Sequence, residues 1–289
     1  MSSDRWSTHT IEMGPDSVTK RFRDVDRERC EREWRALRLL DTYVPGLAPR
    51  PESADPGAAT PTVVMSRLSG RPLRGHPVDE RQIEALAEAV TALHSAVPPS
   101  ALDEIPLRPG RQGELIAHID AWSAHIPAST YARPGSPVTR AMSVGLAWLA
   151  ESGLDPLDEP SVPPVFGPGD GNLANYLWDG SQVRVVDFED SGRSDRAFEL
   201  AEITEHVSSW VDHSLDVPAF LGHFDLTPAE ASRLRECRRL LALVWLFLLS
   251  FDDPDHPRNP PGTAERQAGR LLELLDRTDT PATTPTVSG

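Results

Sequence analysis

The sequence predicts an α+β protein, with a small N-terminal lobe built on an antiparallel sheet and a larger, mainly helical C-terminal lobe. Strand-like runs bounded by turn residues, with one helix between them, occur in the chain up to about residue 68. Apolar residues with the helical period dominate from about residue 78 onward. We therefore expect an N-terminal lobe over 1–68 and a C-terminal lobe over 69–276, followed by a disordered tail, 277–289, that is rich in Thr and Pro.

The composition is that of a globular chain and argues against several function classes. Of 289 residues, 39% are apolar and 25% are charged, and the net charge is −15. This charge disfavours nucleic acid and anionic membranes as partners. The negative charge suits a cationic ligand. The alternative is that it serves only to keep the protein soluble. The two cysteines form no disulfide framework and the N-terminus has no apolar signal segment, so we expect a cytoplasmic protein.

The N-terminal lobe is predicted from a hairpin, a helix and a buried strand. Residues 10–13 and 17–22 flank a Gly-Pro-Asp turn and are typical of a hairpin. A helix is predicted over 26–40 from its apolar period, and a buried strand over 62–65. The segment between them, 45–61, is rich in Pro, Gly and Ala and is predicted to be a linker without regular structure.

Lys20, on the second strand of this hairpin, is the only lysine in the chain, against 28 arginines. The ammonium of lysine is a compact charge, whereas the guanidinium of arginine is a wide planar fork. We therefore expect Lys20 to have a role that arginine cannot fill. The alternative is that Lys20 has been retained by chance. On a helical wheel, Glu33 falls inside the apolar stripe of the next helix. A buried carboxylate needs a partner, and Lys20 is the nearest candidate. The alternative is a solvated Glu33 at the edge of the stripe.

The C-terminal lobe is predicted to consist of helices interrupted by one hairpin. The hairpin strands, 176–178 and 182–186, flank Asp179-Gly180, a strong signal for a two-residue turn. A Pro-rich connection, 154–168, leads into this region. The predicted helices begin near residue 78 and continue over 113–125, 137–151, 196–212, 228–251 and 264–276.

The glycine-rich segment before the hairpin, VFGPGDGNLAN, carries two polar side chains five residues apart. Asp170 lies between two glycines, which leaves it free to approach a substrate hydroxyl, and Asn175 enters the first strand. Because the hairpin folds back on itself, we expect Asp187 to lie near both. Two carboxylates and an amide oxygen are hard ligands that suit Mg²⁺ with bound phosphates. The alternative is a turn that happens to be polar.

These residues resemble a known family. GDGNLANYL followed by VVDFED is similar to the catalytic loop and metal motif of the aminoglycoside phosphotransferases and choline kinases, which are relatives of the protein kinases. The resemblance extends to EREWRALRLL around Glu33, to VVMSRLSG, to AEAVTALHS with His94, and to GRSDRAFELAEI, where Glu199 stands in place of the usual Asp. It covers roughly residues 10–205 in the family's order and implies a protein-kinase-like two-lobe fold.

The resemblance implies a role for each matching residue. Asp170 would accept or orient the proton of a substrate hydroxyl. Asn175 and Asp187, with Glu189, would hold Mg²⁺ on the phosphates of ATP or GTP. Lys20 would contact the α- and β-phosphates and would itself be held by Glu33. The purine would be bound at the hinge residues Met65, Ser66 and Leu68.

Three departures from the family pattern bear on these roles. The family's His before Gly-Asp, which braces the loop, is Pro168 here, so the positioning of Asp170 is left open. The Gly-rich loop that covers the phosphates is not visible, and only WSTHT, residues 6–10, is available in its place. Glu189 stands where an Asp is common.

Acceptor binding is assigned to the helix predicted over 196–212 and to a later acidic loop. The helical period places Glu202, His206, Trp210 and His213 on one side, and Asp252, Asp253 and Asp255 cluster in the loop. Such carboxylates would suit a cationic, hydroxylated antibiotic, and a tryptophan would suit a quaternary ammonium. A solvated acidic surface is the alternative. The candidate acceptor-binding residues are Glu202, His206, Trp210 and Asp252.

The sequence thus predicts a kinase that uses ATP or GTP with Mg²⁺ to phosphorylate an alcohol group of a small molecule. The favoured acceptor is an antibiotic, so the protein would confer resistance. One alternative is a kinase of choline or a sugar, and another is a catalytically inactive kinase-like binding module. The presence of Lys20, Asp170, Asn175 and Asp187 together argues against the inactive module.

Overall fold

The structure is a computed structural model that describes residues 9–124, 136–154, 162–252 and 256–276. The tail predicted at 277–289 lies outside these ranges, as do residues 6–8, Asp253 and Asp255.

A four-stranded antiparallel sheet forms the start of the chain. Strands β1 (Thr10–Met13) and β2 (Ser17–Arg21) form the predicted hairpin, and β4 (Thr62–Ser66) is the predicted buried strand. A further strand, β3 (Pro51–Asp55), completes the sheet in the order β1-β2-β4-β3. It lies inside the predicted linker, so that prediction was wrong there. As an edge strand with proline and charged side chains, β3 is largely exposed and has no apolar alternation.

Helix α1 (Arg27–Tyr43) packs against β3 and β4, close to the bounds predicted for it. Its buried face contains Cys30, Leu37 and Leu40, and Glu33 lies among them with 1% of its surface exposed. The predicted position of Glu33 on the apolar stripe is therefore confirmed, and the alternative of a solvated carboxylate is wrong.

Two small sheets frame the glycine-rich segment. Strands β7 (Tyr176–Trp178) and β8 (Val183–Val185) form the predicted hairpin, which β5 (Arg71–Pro72) extends. Strand β6 (Pro164–Gly167) pairs with β9 (Gly192–Asp195), and neither was predicted. Three of the four residues of β6 are buried, so the segment enters the loop at 168–175 from a strand fixed in the core.

The helices after α1 are α2 (Glu80–Ala96), α3 (Pro99–Leu102), α4 (Gln112–Ser123), α5 (Pro137–Glu151), α6 (Arg196–Glu205), α7 (Val217–Leu221), α8 (Pro228–Ser250) and α9 (Thr263–Asp276). The short helices α3 and α7 were not predicted, and the others apart from α6 lie close to their predicted bounds. Helix α8 is central and packs on α4, α5, α6 and α9. Its apolar run, 240–249, is largely buried. Within the described residues, no helix combines the length and the apolar character needed to cross a membrane.

Helix α6 is shorter than predicted. It ends at Glu205, and after an extended residue, His206, the chain makes a short 3-10 turn, Val207–Ser209. The imidazole of His206 accepts a hydrogen bond from the backbone N–H of Ser208 and so caps this turn. Because the helix stops here, the prediction that residues 202, 206 and 210 share one helical face is wrong.

Candidate active site

Asp170 lies in the loop between β6 and β7, and both of its carboxylate oxygens accept hydrogen bonds. The backbone N–H of Asn172 donates to Oδ1 at 2.9 Å, and Nδ2 of Asn175 donates to Oδ2 at 3.0 Å. The carboxylate of Asp170 is nevertheless 37% exposed. The nitrogen of the Asn175 amide is directed at Asp170, and its oxygen accepts no hydrogen bond from the residues that the structure describes, so this oxygen can bind a cation.

The surroundings of Asp170 tune its basicity. Partial burial and the negative charge of Asp187 raise the pKa of Asp170 to about 6, against the hydrogen bonds from Asn172 and Asn175. A carboxyl group with this pKa is mostly ionised at neutral pH and is a stronger base than an ordinary aspartate. Asp170 is therefore suited to accept a proton from a hydroxyl group.

The glycines on either side of Asp170 allow close packing. Gly169 has a φ of +85°, and a Cβ there would lie 1.9 Å from the carbonyl oxygen of Asp190. A Cβ on Gly171 would lie 2.2 Å from the backbone of Glu202. A side chain at either position would clash, so the two glycines let the loop pack closely between the segment after β8 and helix α6.

Asp187 follows β8 and turns back toward this loop. Its φ of 69° lies in the left-handed region, which is uncommon for residues other than glycine but is tolerated by aspartate. Oδ1 of Asp187 lies 2.6 Å from Nζ of Lys20, and its charge also acts on Asp170. The structure thus brings Lys20, Asp170 and Asp187 into one region.

Lys20 is buried among three carboxylates. Its Nζ lies 3.1 Å from Oε2 of Glu33, 2.6 Å from Oδ1 of Asp187 and 2.6 Å from Oε2 of Glu189. Burial acts to lower the pKa of Lys20, but the three negative charges outweigh it and the pKa is raised, so the ammonium stays charged. The pairing of Lys20 with Glu33 expected from the helical wheel is present.

The carboxylates around Lys20 could hold a divalent cation. One oxygen each from Glu33, Asp187 and Glu189 lies within 4.8 Å of the others. Oε1 of Glu33 is buried and has no hydrogen-bond partner among the described residues. Glu189 also accepts a hydrogen bond from Arg29 at 3.0 Å and lies 2.9 Å from Nε2 of His9. Carboxylate oxygens are the donors that Mg²⁺ prefers, so these residues fit that ion.

The hinge residues predicted to bind a purine follow β4 directly. Met65 is buried, and the N–H of Ser66 donates to the carbonyl of Arg50 at 2.9 Å. The N–H of Arg67 donates to the carbonyl of Asp16 at 2.8 Å. Leu68 is half-buried, and its N–H has no hydrogen-bond partner within the described part of the chain. Leu68 therefore offers a backbone donor to a base.

Arg108, which the sequence did not single out, contacts the loop that carries Asp170. Its Nη2 donates to the carbonyl of Gly169 and to Oε1 of Glu202, both at 2.9 Å. Its Nη1 donates to Oε1 of Glu199 at 2.8 Å. Only 3% of Arg108 and 2% of Glu199 are exposed. A buried ion pair therefore lies directly behind the loop.

Two of the predicted acceptor-binding residues are carboxylates already paired with arginine. Glu202 contacts Arg108, and burial raises the pKa of Glu202 to about 7. Asp252 accepts hydrogen bonds from the backbone N–H and from Nε of Arg258, both at 3.0 Å. Neither carboxylate is therefore an unpaired negative charge available to a cationic acceptor.

Trp210 is buried rather than presented to a ligand. It packs with Val211 and Leu249, and 6% of it is exposed. The guanidinium groups of Arg266 and Arg270 lie 5.4 Å and 5.2 Å from its ring centre. These cation–π contacts occupy the face that a quaternary ammonium would need.

His206 is the predicted acceptor-binding residue that faces the loop. Its Nε2 lies 3.7 Å from Oδ1 of Asp170. Because Nδ1 accepts from the backbone N–H of Ser208 at 3.0 Å, the ring proton belongs on Nε2, toward Asp170. Burial and the positive charge of Arg74 lower the pKa of His206 to about 3, so the imidazole is neutral at physiological pH.

The sequence of this chain is similar to that of a known protein family. A family model described as "Phosphotransferase enzyme family" matches residues 2–237. No curated protein sequence matches the chain.

Several solved structures share the fold. A choline/ethanolamine kinase family protein from Mesorhizobium loti superposes with a TM-score of 0.57 at 19% identity, over 93% of this chain and 86% of that one. Choline kinase LicA from Streptococcus pneumoniae gives 0.58 at 16% identity, over 92% and 89%. Aminoglycoside phosphotransferase APH(3'')-Id from Streptomyces rimosus, in complex with ADP and streptomycin, gives 0.54 at 18% identity, over 79% and 86%. The predicted kinase-like two-lobe α+β fold is confirmed.

Proposed function

The chain belongs to the phosphotransferase enzyme family, and on that basis we propose that it transfers the γ-phosphate of a nucleotide to a hydroxyl group of a small molecule. The observation that carries the proposal is the 2.6 Å contact between Lys20 and Asp187, beside the loop in which Asn175 holds Asp170. Residues far apart in the chain thus supply a phosphate-binding cation, hard metal ligands and a base in one region. Phosphoryl transfer requires these groups together.

The sheet and hinge would bind the nucleotide. Ile11 is paired across the sheet with Lys20, and Met13 with Val18, so these side chains share the face that carries Lys20. Ile11 is 46% exposed and Met13 is 60% exposed, which gives an apolar surface for a flat base. Leu68 would donate its backbone N–H to the base, beside Met65 and Ser66.

Asp187, Glu189 and the amide oxygen of Asn175 would hold Mg²⁺. When bound, this ion would neutralise charge on the phosphates of ATP or GTP. Lys20 would exchange part of its contact with Asp187 and Glu189 for contact with phosphate oxygens. Glu33 is buried on α1 and would keep the ammonium in place during this exchange.

Asp170 would act as the base. The acceptor oxygen forms a bond to the γ-phosphorus, the bond from that phosphorus to the bridging oxygen breaks, and the hydroxyl proton passes to Asp170. The hydrogen bonds from Asn172 and Asn175 fix the orientation of the carboxylate before the acceptor arrives. Nε2–H of His206 faces the same carboxylate and would donate to the acceptor oxygen.

The acceptor we propose is a hydroxylated antibiotic. Because Glu202 and Asp252 are paired with Arg108 and Arg258, these carboxylates do not support a requirement for a polycation. A choline-type acceptor is the second candidate. It is favoured by Trp245, a half-buried tryptophan whose ring centre lies 4.6 Å from that of His206 and which would suit a quaternary ammonium.

A panel assay tests this proposal. The full chain is incubated with Mg²⁺ and either ATP or GTP in the presence of cationic antibiotics, uncharged hydroxylated antibiotics, choline, ethanolamine or sugars. Release of nucleoside diphosphate and a mass gain of one phosphoryl group identify the acceptor, and Asp170→Ala is the control. Nucleotide binding by calorimetry without transfer to any compound would contradict the kinase proposal and support the inactive binding module.

A further inference from the structure

We propose that Arg108 is a positioning residue for phosphoryl transfer, because it fixes, together with Glu199, the backbone of Gly169, the residue before Asp170. The inference rests on the proposed function, in which Asp170 is the base. We call the arrangement of Arg108, Glu199 and Gly169 the Gly169 clamp.

Both backbone polar groups of Gly169 are bound in the clamp. The carbonyl accepts from Nη2 of Arg108 at 2.9 Å, and the N–H donates to Oε2 of Glu199 at 3.3 Å. Arg108 and Glu199 are joined to each other at 2.8 Å, which closes a ring of hydrogen bonds. Because charged groups take part in each bond, the ring holds the backbone more firmly than neutral partners would.

Arg108 also ties the clamp to helix α6. Its Nη2 reaches Glu202, and a Cβ on Gly171 would meet the backbone of that same residue. The loop is therefore held to α6 on both sides of Asp170, by a charged contact before it and by backbone packing after it. Asp170 has little freedom to shift relative to α6.

The geometry explains why this position holds an arginine. Its guanidinium makes four hydrogen bonds at once, to Glu199, Glu202, and the carbonyls of Gly169 and Pro109. Pro168, the residue before Gly169, has no N–H and no side-chain donor with which to brace the loop. A lysine has one flexible ammonium and cannot span these acceptors in a fixed plane.

Stability alone is a poor explanation for the clamp. Removing an arginine and two carboxylates from water costs free energy, and a buried ion pair rarely outperforms apolar packing of similar volume. The buried pair instead fixes the position of the Gly169 backbone, one residue before the base Asp170. Misplacement of a reacting group by about 1 Å can cost on the order of 10²-fold in rate.

The test compares Arg108→Met with Arg233→Met. The guanidinium of Arg233 lies over the same Phe198 ring as that of Arg108, at 6.0 Å against 5.0 Å, but it donates to Asp195 and Gln112. We expect Arg108→Met to lower kcat by roughly 10- to 100-fold with an unchanged Kd for the nucleotide, because Lys20 and Asp187 are untouched. Arg233→Met should reduce the melting temperature with kcat near that of wild type. An equal effect on kcat in both variants would overturn the proposal.

Two further variants cover the case in which Arg108→Met does not fold. Arg108→Lys keeps the buried charge, so its melting temperature should stay closer to wild type while kcat still falls about tenfold. Arg108→Gly leaves space for free guanidinium ion, which should restore kcat in this variant and not in Asp170→Ala. Wild-type kcat in Arg108→Lys, or no response of Arg108→Gly to guanidinium, would refute the clamp. A wild-type protein that transfers no phosphate would instead refute the proposed function.

Discussion

The ammonium of Lys20 lies 2.6 Å from Oδ1 of Asp187, although 167 residues separate them in the chain. Glu189 lies at the same distance from that ammonium. A divalent cation bound by these carboxylates must therefore compete with Lys20 for them, and nucleotide phosphates would offer Lys20 a new partner. Metal and nucleotide are expected to bind together.

Replacing Lys20 with arginine should impair catalysis although the charge is kept. The ammonium is buried between three carboxylates, and a guanidinium is too wide to occupy the same position. We expect kcat/KM to fall by about 10²-fold or more in Lys20→Arg. The control is Arg21→Lys, on the neighbouring exposed residue that pairs with Glu12, which should stay within about twofold of wild type. Activity of Lys20→Arg at the wild-type level would mean that Lys20 is a chance survivor.

Removal of the Asp187 carboxylate should uncouple Mg²⁺ from nucleotide binding. At a concentration 100 times its Kd, a ligand stabilises the folded state by about 2.7 kcal/mol, which raises the melting temperature by several degrees. We expect Asp187→Ala to lose most of this shift with Mg²⁺ and nucleotide together. Asp179→Asn, at the opposite end of the same hairpin, should keep the shift. An unchanged shift in Asp187→Ala would remove Asp187 from the metal site.

Loss of the Asp170 carboxylate should abolish most phosphate transfer but leave nucleotide binding intact. A general base contributes about 10²- to 10⁴-fold, so we expect Asp170→Ala to lose phosphate transfer by at least that factor. Its Kd for the nucleotide, measured by calorimetry, should stay close to wild type because Lys20 and the hinge supply that affinity. An active Asp170→Ala variant would place the chemistry in another loop.

The pH dependence of kcat/KM should show an acid limb near 6. Asp170 must be ionised to accept a proton, and its pKa is raised to about 6, so activity should fall as the pH drops below that value. At pH 5 the rate should be about tenfold below the plateau. Both substrates are kept below saturation so that the limb reports the free enzyme.

Glu202 and Glu33 lie close to Asp170 or Lys20 and also titrate near this range, since burial raises the pKa of each to about 7. Of the two, Glu202 interacts with Asp170, so Glu202→Gln tests whether Glu202 or Asp170 sets the limb. If Asp170 sets the limb, Glu202→Gln keeps an acid limb near pH 6, even if its maximal rate is changed. Disappearance of the limb in Glu202→Gln would assign it to Glu202 instead.

His94 should make the protein less stable at acid pH. Its ring nitrogens are buried without a hydrogen-bond partner among the described residues, and burial lowers the pKa of His94 to about 4. In the unfolded chain a histidine has a pKa of about 6.5. Between these values the unfolded state binds the extra proton, so the contribution of His94 to the free energy of unfolding falls by about 1.4 kcal/mol per unit decrease in pH.

The measurement is the urea midpoint of wild type and His94→Leu at pH 7 and pH 5. The midpoint of the variant should rise relative to wild type at the lower pH. His223→Leu, at an exposed position, controls for the loss of a histidine as such. A pH-independent difference between wild type and His94→Leu would show that His94 is not buried in its neutral form.

The features that the sequence predicts are those set by neighbouring residues. Asp179 accepts hydrogen bonds from the N–H groups of Ser181 and Gln182, so the hairpin turn is encoded within four residues. The start of α5 at Pro137 follows in the same way from Ser136, which caps it. Glu33 was found because one helical period places it beside Cys30 and Leu37. Short-range patterns therefore predict both the elements and the residues around Lys20.

The features that the sequence misses depend on distant contacts. Arg108 lies near one other arginine, Arg111, in a Pro- and Gly-rich segment, and the residues it holds are 61 to 94 positions away. Strand β3 forms only because β4 offers it a partner. The end of α6 does have a local signal, the pair Ser208 and Ser209. Ser209 Oγ donates to the carbonyl of Ile203, and such serine contacts compete with a continuing helix.

The contact of Gly171 with the backbone of α6 has a consequence for the evolution of acceptor range. A substitution that tilts α6 to admit a new acceptor would also press on the loop that carries the base, so new specificity and lost turnover would arise together. Variant libraries aimed at α6 should therefore be poor in active clones. The turn after His206 also touches this loop, since Ser208 Oγ accepts a hydrogen bond from the N–H of Leu173. Libraries aimed at the exposed residues 212–214, beyond that turn, can reshape the surface next to α6 without disturbing the loop. In a laboratory selection, broadened specificity should first appear there.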